Sequence, residues 1–323
     1  MDRAWSPDFL GDGVEAAPLG RGPSGPLGIL VRYRGPQGAG GDDAGRALVY
    51  VHGWSDYFFN LELARFADGL GLRFFALDLP EHGRSIGHGT VPGYVGSAEH
   101  YLESVDAAVR AAADESGGSP VLMGHSTGGL AAALFAQRRP GELSGLVLSS
   151  PWLVPHGGPV AGRVLEAALQ PASARWPRAR LPLPPRGYYW RAIAKEAGGE
   201  WELRSDLRPR NAFPVRVGWL HGVLEAQRAL RSGPRIALPA LLLASGASDT
   251  GLLWREEMRS RDAVLNVAPM RRAAAALCAD LDEAIVEGGL HDVLLSAPAV
   301  RSEAYARLGA WLARVARPGP SPG

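Results

Sequence analysis

The sequence predicts an α/β fold: a mostly parallel central sheet flanked by helices, carrying one inserted segment. Three observations point there. Short aliphatic and β-branched runs alternate with longer alanine-rich stretches of helical period between Ala47 and Ser149. That alternation stops at Pro151 and resumes at Pro239. The composition is that of a globular chain: 323 residues, 46% hydrophobic and 21% charged, with ample length to bury a sizeable core.

In chain order, strands are expected over 14–17 and 28–33, joined through a Gly/Pro-rich turn at 23–26. A loose loop over 35–45 leads to the apolar run 47–51, short enough for a strand buried on both faces. A helix over 60–70 and a strand over 73–78 follow. The next helix spans 97–115, with Tyr101, Val105 and Val109 on one face. Strand 120–124, helix 127–138 and strand 146–149 complete the first block. Residues 152–235 lack clear strands and are rich in Pro, Trp and Arg, and the prolines of 181–185 forbid a helix there. Strands at 239–245 and 283–287 and a helix near 299–313 close the fold, ahead of a frayed tail from Arg317. The expected organisation is therefore a core in two parts, 1–151 and 236–323, around an insertion at 152–235.

Composition excludes several classes of function. The net charge of +1 shows no basic stripe for nucleic acid. A single cysteine, Cys278, rules out an internal disulfide and a multi-cysteine metal site; it lies in a helical alanine run and reads as a small core residue. The histidines lack metal-ligand spacing, and no phosphate-binding glycine motif follows a strand, so neither metal nor cofactor is expected. With no membrane-length apolar run and no signal-like start, a soluble cytoplasmic protein is expected. Lys195 is the only lysine among the basic residues, which reads as codon bias.

The segment that carries chemistry is Gly124-His125-Ser126-Thr127-Gly128, a G-x-S-x-G motif between an apolar strand and an alanine-rich helix. That setting forces Ser126 into a strained turn with its hydroxyl exposed. The glycines let strand and helix pass closely, and the helix N-terminus presents free amides to a developing negative charge. A second candidate part is His52-Gly53-Trp54, directly after the strand 47–51.

Together with Leu77-Asp78-Leu79-Pro80-Glu81-His82-Gly83-Arg84-Ser85, these motifs resemble α/β-hydrolases of the monoglyceride lipase and lysophospholipase group, which includes serine aminopeptidase-like hydrolases. The last segment matches the D-x-x-G-H-G-x-S loop of that group, with Glu81 in place of a glycine. The resemblance covers nearly the whole chain and implies that the insertion is a cap. It implies an oxyanion hole made by the backbone amides of Trp54 and Thr127. It also implies catalysis without a cofactor on a carboxylic ester, such as a monoacylglycerol, a lysophospholipid or a short-chain ester. A peptidase or amide hydrolase, and a binding protein without chemistry, are the other readings of these residues.

The catalytic order in this fold is nucleophile, acid, base along the chain. Of the histidines after Ser126, His156 and His221 lie in the insertion, whereas His291 follows the last strand and the turn Gly288-Gly289, so His291 is the expected base. Asp262 and Asp249 compete for the acid. Asp262 precedes His291 by 29 residues and Asp249 by 42; about thirty is usual in relatives, which favours Asp262 and makes 250–260 a short insertion. Asp292 is expected to serve the backbone and His82 to pack. Cap aromatics including Trp152, Trp176, Tyr189 and Trp219 could wall an acyl pocket or form the cap's own core. The basic run from Arg175 to Arg191 suits an anionic head group or a solvated face equally.

Overall fold

The computed structural model describes residues 3–35, 46–184 and 187–315. Most of the loop expected before Ala47 and the tail from Arg317 fall outside these residues. The strands are β1 (Ser6–Pro7), β2 (Val14–Pro18), β3 (Arg21–Gly22), β4 (Gly25–Pro26), β5 (Ile29–Tyr33), β6 (Ala47–Val51), β7 (Arg73–Asp78), β8 (Val121–His125), β9 (Gly145–Ser149), β10 (Ile236–Ser245) and β11 (Cys278–Val286). The helices are α1 (Leu61–Gly69), α2 (Ala98–Ser116), α3 (Thr127–Arg138), α4 (Gly158–Arg175), α5 (Tyr188–Ile193), α6 (Val217–Ser232), α7 (Val267–Leu277) and α8 (Pro298–Val315).

Among the described residues, nine strands form one sheet in the order β1-β2-β5-β7-β6-β8-β9-β10-β11. The pairs from β1 to β7 are antiparallel, and every pair from β7 onward is parallel. The inner parallel strands β6, β7, β8 and β9 are buried on both sides, which is why they read as apolar runs. Val49 and Val51 face the layer of α2 and α3, while Leu48 and Tyr50 face that of α1 and α8. The chain runs from β6 to β7 on one side and then crosses to β8 on the other, opening a crevice at their carboxyl ends where open α/β sheets place their ligands.

Helix α2 is capped as its sequence dictates: the Ser97 hydroxyl accepts from the His100 amide, and Gly117 ends the helix in the left-handed conformation. The short strands β1, β3 and β4 are not expected from the sequence, and two of the expected strands are longer than predicted. β10 and β11 begin earlier than the apolar pattern suggested, because β11 is an edge strand whose Asp280, Asp282 and Glu283 carry no hydrophobic signal. Cys278 accordingly opens β11, opposite Ile236, rather than lying in the alanine helix, which ends at Leu277. It is buried, and burial pushes its thiol up to about 11.

Between β9 and β10 lie α4, α5 and α6 with irregular connections. Trp190, Phe213 and Trp219 are buried, whereas Trp176 is 61% exposed and walls nothing. Among the described residues no helix is long and apolar enough to cross a membrane.

Packing is close where β8 turns into α3. A Cβ on Gly128 would sit 2.3 Å from the His52 carbonyl oxygen and 2.4 Å from that of Val51. Both obstacles are backbone atoms, at the last residue of β6 and the one after it, and cannot move aside cheaply. Gly128→Ala is therefore expected to cost about 3 kcal/mol or more of unfolding free energy, measurable by urea denaturation.

Candidate active site

Ser126 sits between β8 and α3 with φ 53° and ψ −115°, a region that residues with a side chain rarely occupy. Three hydrogen bonds hold it there. Its amide donates to the Ser149 carbonyl at 3.0 Å, and its own carbonyl accepts from Leu130 at 3.2 Å and Trp152 at 3.0 Å. The close approach that Gly124 and Gly128 permit makes the turn sharp enough to do this: a Cβ on Gly124 would lie 2.4 Å from the Gly128 oxygen. Thr127 is the first residue of α3, so its N–H is one of the helix's initial amides without an intrahelical acceptor.

The loop after β6 runs against this elbow. A Cβ on Gly53 would lie 3.1 Å from Cβ of Ser126, so the residue before Trp54 packs directly on the elbow. His52 fixes the loop: its Nε2 accepts from the Leu79 amide at 3.0 Å, leaving Nδ1 to donate to the Gly53 carbonyl at 2.6 Å. The Trp54 ring stacks on Trp219 of α6, with centroids 4.5 Å apart, and its Nε1 donates to the Gly93 carbonyl.

His291 is buried after β11. Its Nδ1 lies 2.9 Å from Oδ2 of Asp262, and its ring centroid is 4.8 Å from that of His125, the residue before Ser126. The loop is pinned at several points. The Ser245 hydroxyl donates to the Gly289 carbonyl, the Ser296 hydroxyl accepts from Leu290, and Asp292 accepts from Leu294. Asp262 is held as firmly. Its Oδ1 accepts the amides of Val264 and Leu265 at 2.8 and 2.7 Å, its amide donates to Ala247, and its carbonyl accepts from Asp249. The chain thus leaves β10, makes an excursion over 249–261, and returns beside its starting point. With Asp262 fully buried and carrying three donors, its carboxylate can orient the ring so that Nε2 is left as the acceptor.

Asp249 lies elsewhere in this arrangement. Its Oδ1 accepts from Arg255 at 2.5 Å and from the Gly251 amide at 3.2 Å, and the Arg255 contact holds its carboxyl below the usual range.

The neighbouring histidines have other work. His82 is buried with Nδ1 at the Pro80 carbonyl, and burial beside His52 lowers it to about 3, so it is neutral packing. Burial likewise holds His125 well below its ordinary value. Glu81, standing where the resembling group has glycine, adopts φ 60°, the conformation that glycine would take without strain. Asp78 accepts from the Phe58 and Arg84 amides and pairs with the Arg84 guanidinium, which bridges onward to Asp8.

Burial pushes the Asp292 carboxyl up to about 6, from an ordinary 3.8. A folded value above the unfolded one means that the native state holds this proton more tightly. Stability therefore falls as pH rises between about 4 and about 6, and the loss persists above that window. Asp292→Asn keeps an acceptor for Leu294 and cannot ionise. It is expected to raise the unfolding free energy near pH 7.5 by up to about 3 kcal/mol, with almost no effect near pH 4; urea denaturation at both pH values checks this.

Two side chains near His291, Asp56 and Arg208, have no signal in the sequence, and Tyr189 is expected there only as one of the cap aromatics. Tyr189 of α5 meets the His291 ring edge-on at 5.2 Å and 89°. Arg208 lies over the Tyr189 ring at 4.7 Å and pairs at 3.1 Å with Asp56, two residues after Trp54. No motif announces them, since Tyr189 is one aromatic of many in the insertion and Arg208 one arginine of many.

The architecture and this crevice define an α/β-hydrolase. The chain belongs to the family described as Serine aminopeptidase, S33, which matches residues 42–295. It is 28% identical to the human monoglyceride lipase over 298 residues, covering 88% of this chain and 87% of that one. It is 30% identical to the mouse monoglyceride lipase over 252 residues, covering 74% and 77%. Among solved structures, it resembles the monoacylglycerol lipase of Paleococcus ferrophilus with a TM-score of 0.59, at 23% identity over 83% of this chain and 94% of that one. A soluble variant of the Saccharomyces cerevisiae monoglyceride lipase in complex with a substrate analog superposes with a TM-score of 0.63, at 14% identity over 97% and 95%.

Proposed function

We propose that the protein is a serine hydrolase that cleaves carboxylic esters of monoacyl lipids or small acyl donors. In this reading Ser126 is the nucleophile, His291 the general base and then acid, and Asp262 the carboxylate that fixes the His291 tautomer. The observation that carries it is the hydrogen bond of a buried His291 to a triply held Asp262, with the imidazole against the elbow that strains Ser126.

The steps follow from that geometry. Nε2 of His291 takes the Ser126 proton as Oγ attacks the acyl carbon. The amides of Trp54 and Thr127 receive the oxyanion; a donor of this kind is typically worth about 3 kcal/mol of barrier. Protonated His291 passes its proton to the departing alcohol, and water, activated by the same imidazole, then releases the acid. Residues 152–235 act as a cap, with Trp219 stacked on Trp54 and Trp152 packed against Trp219. The kinship with monoglyceride lipases supports a monoacyl lipid ester.

The test is a panel of p-nitrophenyl esters from acetate to palmitate, monoacylglycerols, a lysophospholipid, and aminoacyl p-nitroanilides. Ester turnover that exceeds anilide turnover supports the proposal. Turnover of anilides alone would reassign the chain to amide cleavage.

A further inference from the structure

The buried cluster beside the candidate triad contains more charge than the proposed chemistry uses. Arg208 and Asp56 are 5% and 6% exposed at their side chains, and an ion pair at that depth carries a large desolvation cost that its own attraction only partly offsets. Arg208 comes from the insertion, Asp56 from the loop that begins with the Trp54 amide. Two further bonds grip that loop from the same side: the Phe213 amide donates to the Ser55 hydroxyl at 2.9 Å, and the Arg204 amide donates to the Tyr57 hydroxyl at 3.1 Å. On its other flank, the Arg208 guanidinium lies over the Tyr189 ring, which stands perpendicular to the His291 ring.

We propose that Arg208 is the positioning residue of this site, joining the cap to the oxyanion loop through Asp56 and to the general base through Tyr189. This rests on the serine hydrolase reading above. The cation does not touch the reacting atoms. It sets where the Trp54 amide and the His291 ring stand, and, with Asp56, presents a charge-neutral pair to an imidazole that must become positive during the reaction. The other titratable groups facing His291 are Asp262 at Nδ1, His125 and Tyr189 at the ring, and Asp292 next along the chain. Around the pair lie Tyr57, Tyr50, His52, Asp78 and Asp292. Taking away one member of the pair leaves a buried charge uncompensated, and the sign of that charge depends on which member is lost.

The experiment compares wild type with Arg208→Met, Asp56→Asn, the double variant and Arg208→Lys. It measures kcat and KM on p-nitrophenyl butyrate and, separately, the titration of the His291 ring nitrogens by 15N NMR. Arg208→Met is expected to lower kcat about tenfold to hundredfold while KM changes less than about threefold, with Arg208→Lys recovering part of the loss. The His291 titration is expected to move up by about half a unit or more in Arg208→Met and down by a similar amount in Asp56→Asn. It should return to the wild-type position in the double variant. A merely structural latch would move neither titration, and a pattern other than opposite shifts overturns the assignment. Should Arg208→Met fail to fold, Asp56→Asn and Arg208→Lys still decide it, the first moving the titration down and the second leaving it in place. The two readings fail separately: a wild type inactive on every ester sinks the hydrolase proposal, while the ring titration still judges the coupling.

Discussion

Ser126→Ala is expected to lower kcat on the best ester substrate by about ten-thousand-fold to a million-fold, while the variant keeps its fold and binds substrate with little change in KM. The size of the effect follows from what is removed. Without Oγ no acyl-enzyme forms, and water must attack directly with only the oxyanion amides and binding to assist it. The amide of residue 126 and its carbonyl keep their bonds to Ser149, Leu130 and Trp152, so the elbow itself survives. Alanine must still adopt a positive φ there, as serine does, so no new backbone strain enters. Steady-state kinetics with a circular-dichroism melt checks both halves of the expectation. A loss of less than about tenfold would remove Ser126 from the nucleophile's place.

The second large effect is a contrast between two aspartates. Asp262→Asn is expected to cost about ten-thousand-fold in kcat, because an amide group at that position presents a donor to Nδ1 and stabilises the wrong imidazole tautomer. Asp249→Asn should cost less than about fivefold, since the Asp249 carboxylate faces Arg255 and Gly251 rather than His291. The two residues are neighbours through the backbone, the Asp249 amide donating to the Asp262 carbonyl at 2.8 Å, so a general disturbance of this loop would harm both variants alike. A large loss in Asp249→Asn with an intact Asp262→Asn would exchange their roles.

Much of the architecture was legible because it rests on local patterns. The strands Ala47–Val51 and Arg73–Asp78 and the helix Thr127–Arg138 stand where apolar runs and helical period placed them. The strand–turn–helix around Ser126 was legible for the same reason, since glycine, serine and glycine at that spacing have few structural uses. What stayed hidden depends on tertiary partners. The edge strand β11 carries charge on its solvent side and so lost its apolar signature. The helix α7 is legible only as a helical alanine run without bounds, and the hairpin of β3 and β4 lies where the sequence shows only a Gly/Pro-rich turn. The choice between Asp262 and Asp249 turned on chain spacing in the sequence, whereas the structure separates them by hydrogen bonding. Asp56 and Arg208, and the place of Tyr189 beside His291, have no sequence signal for a different reason: these residues are distant in the chain, and only the insertion's return onto the loop after Trp54 brings them together.

The most direct test of the account is to trap the reaction on the chain. Wild-type protein is mixed with p-nitrophenyl butyrate, quenched with acid within the first turnovers, digested, and its peptides read by mass spectrometry. The account predicts a burst of p-nitrophenol together with a butyryl group on the peptide containing Ser126, absent in Ser126→Ala and slow to appear in Asp262→Asn. Ester turnover with no acyl group on any residue, or with the acyl group on a residue other than Ser126, would contradict it.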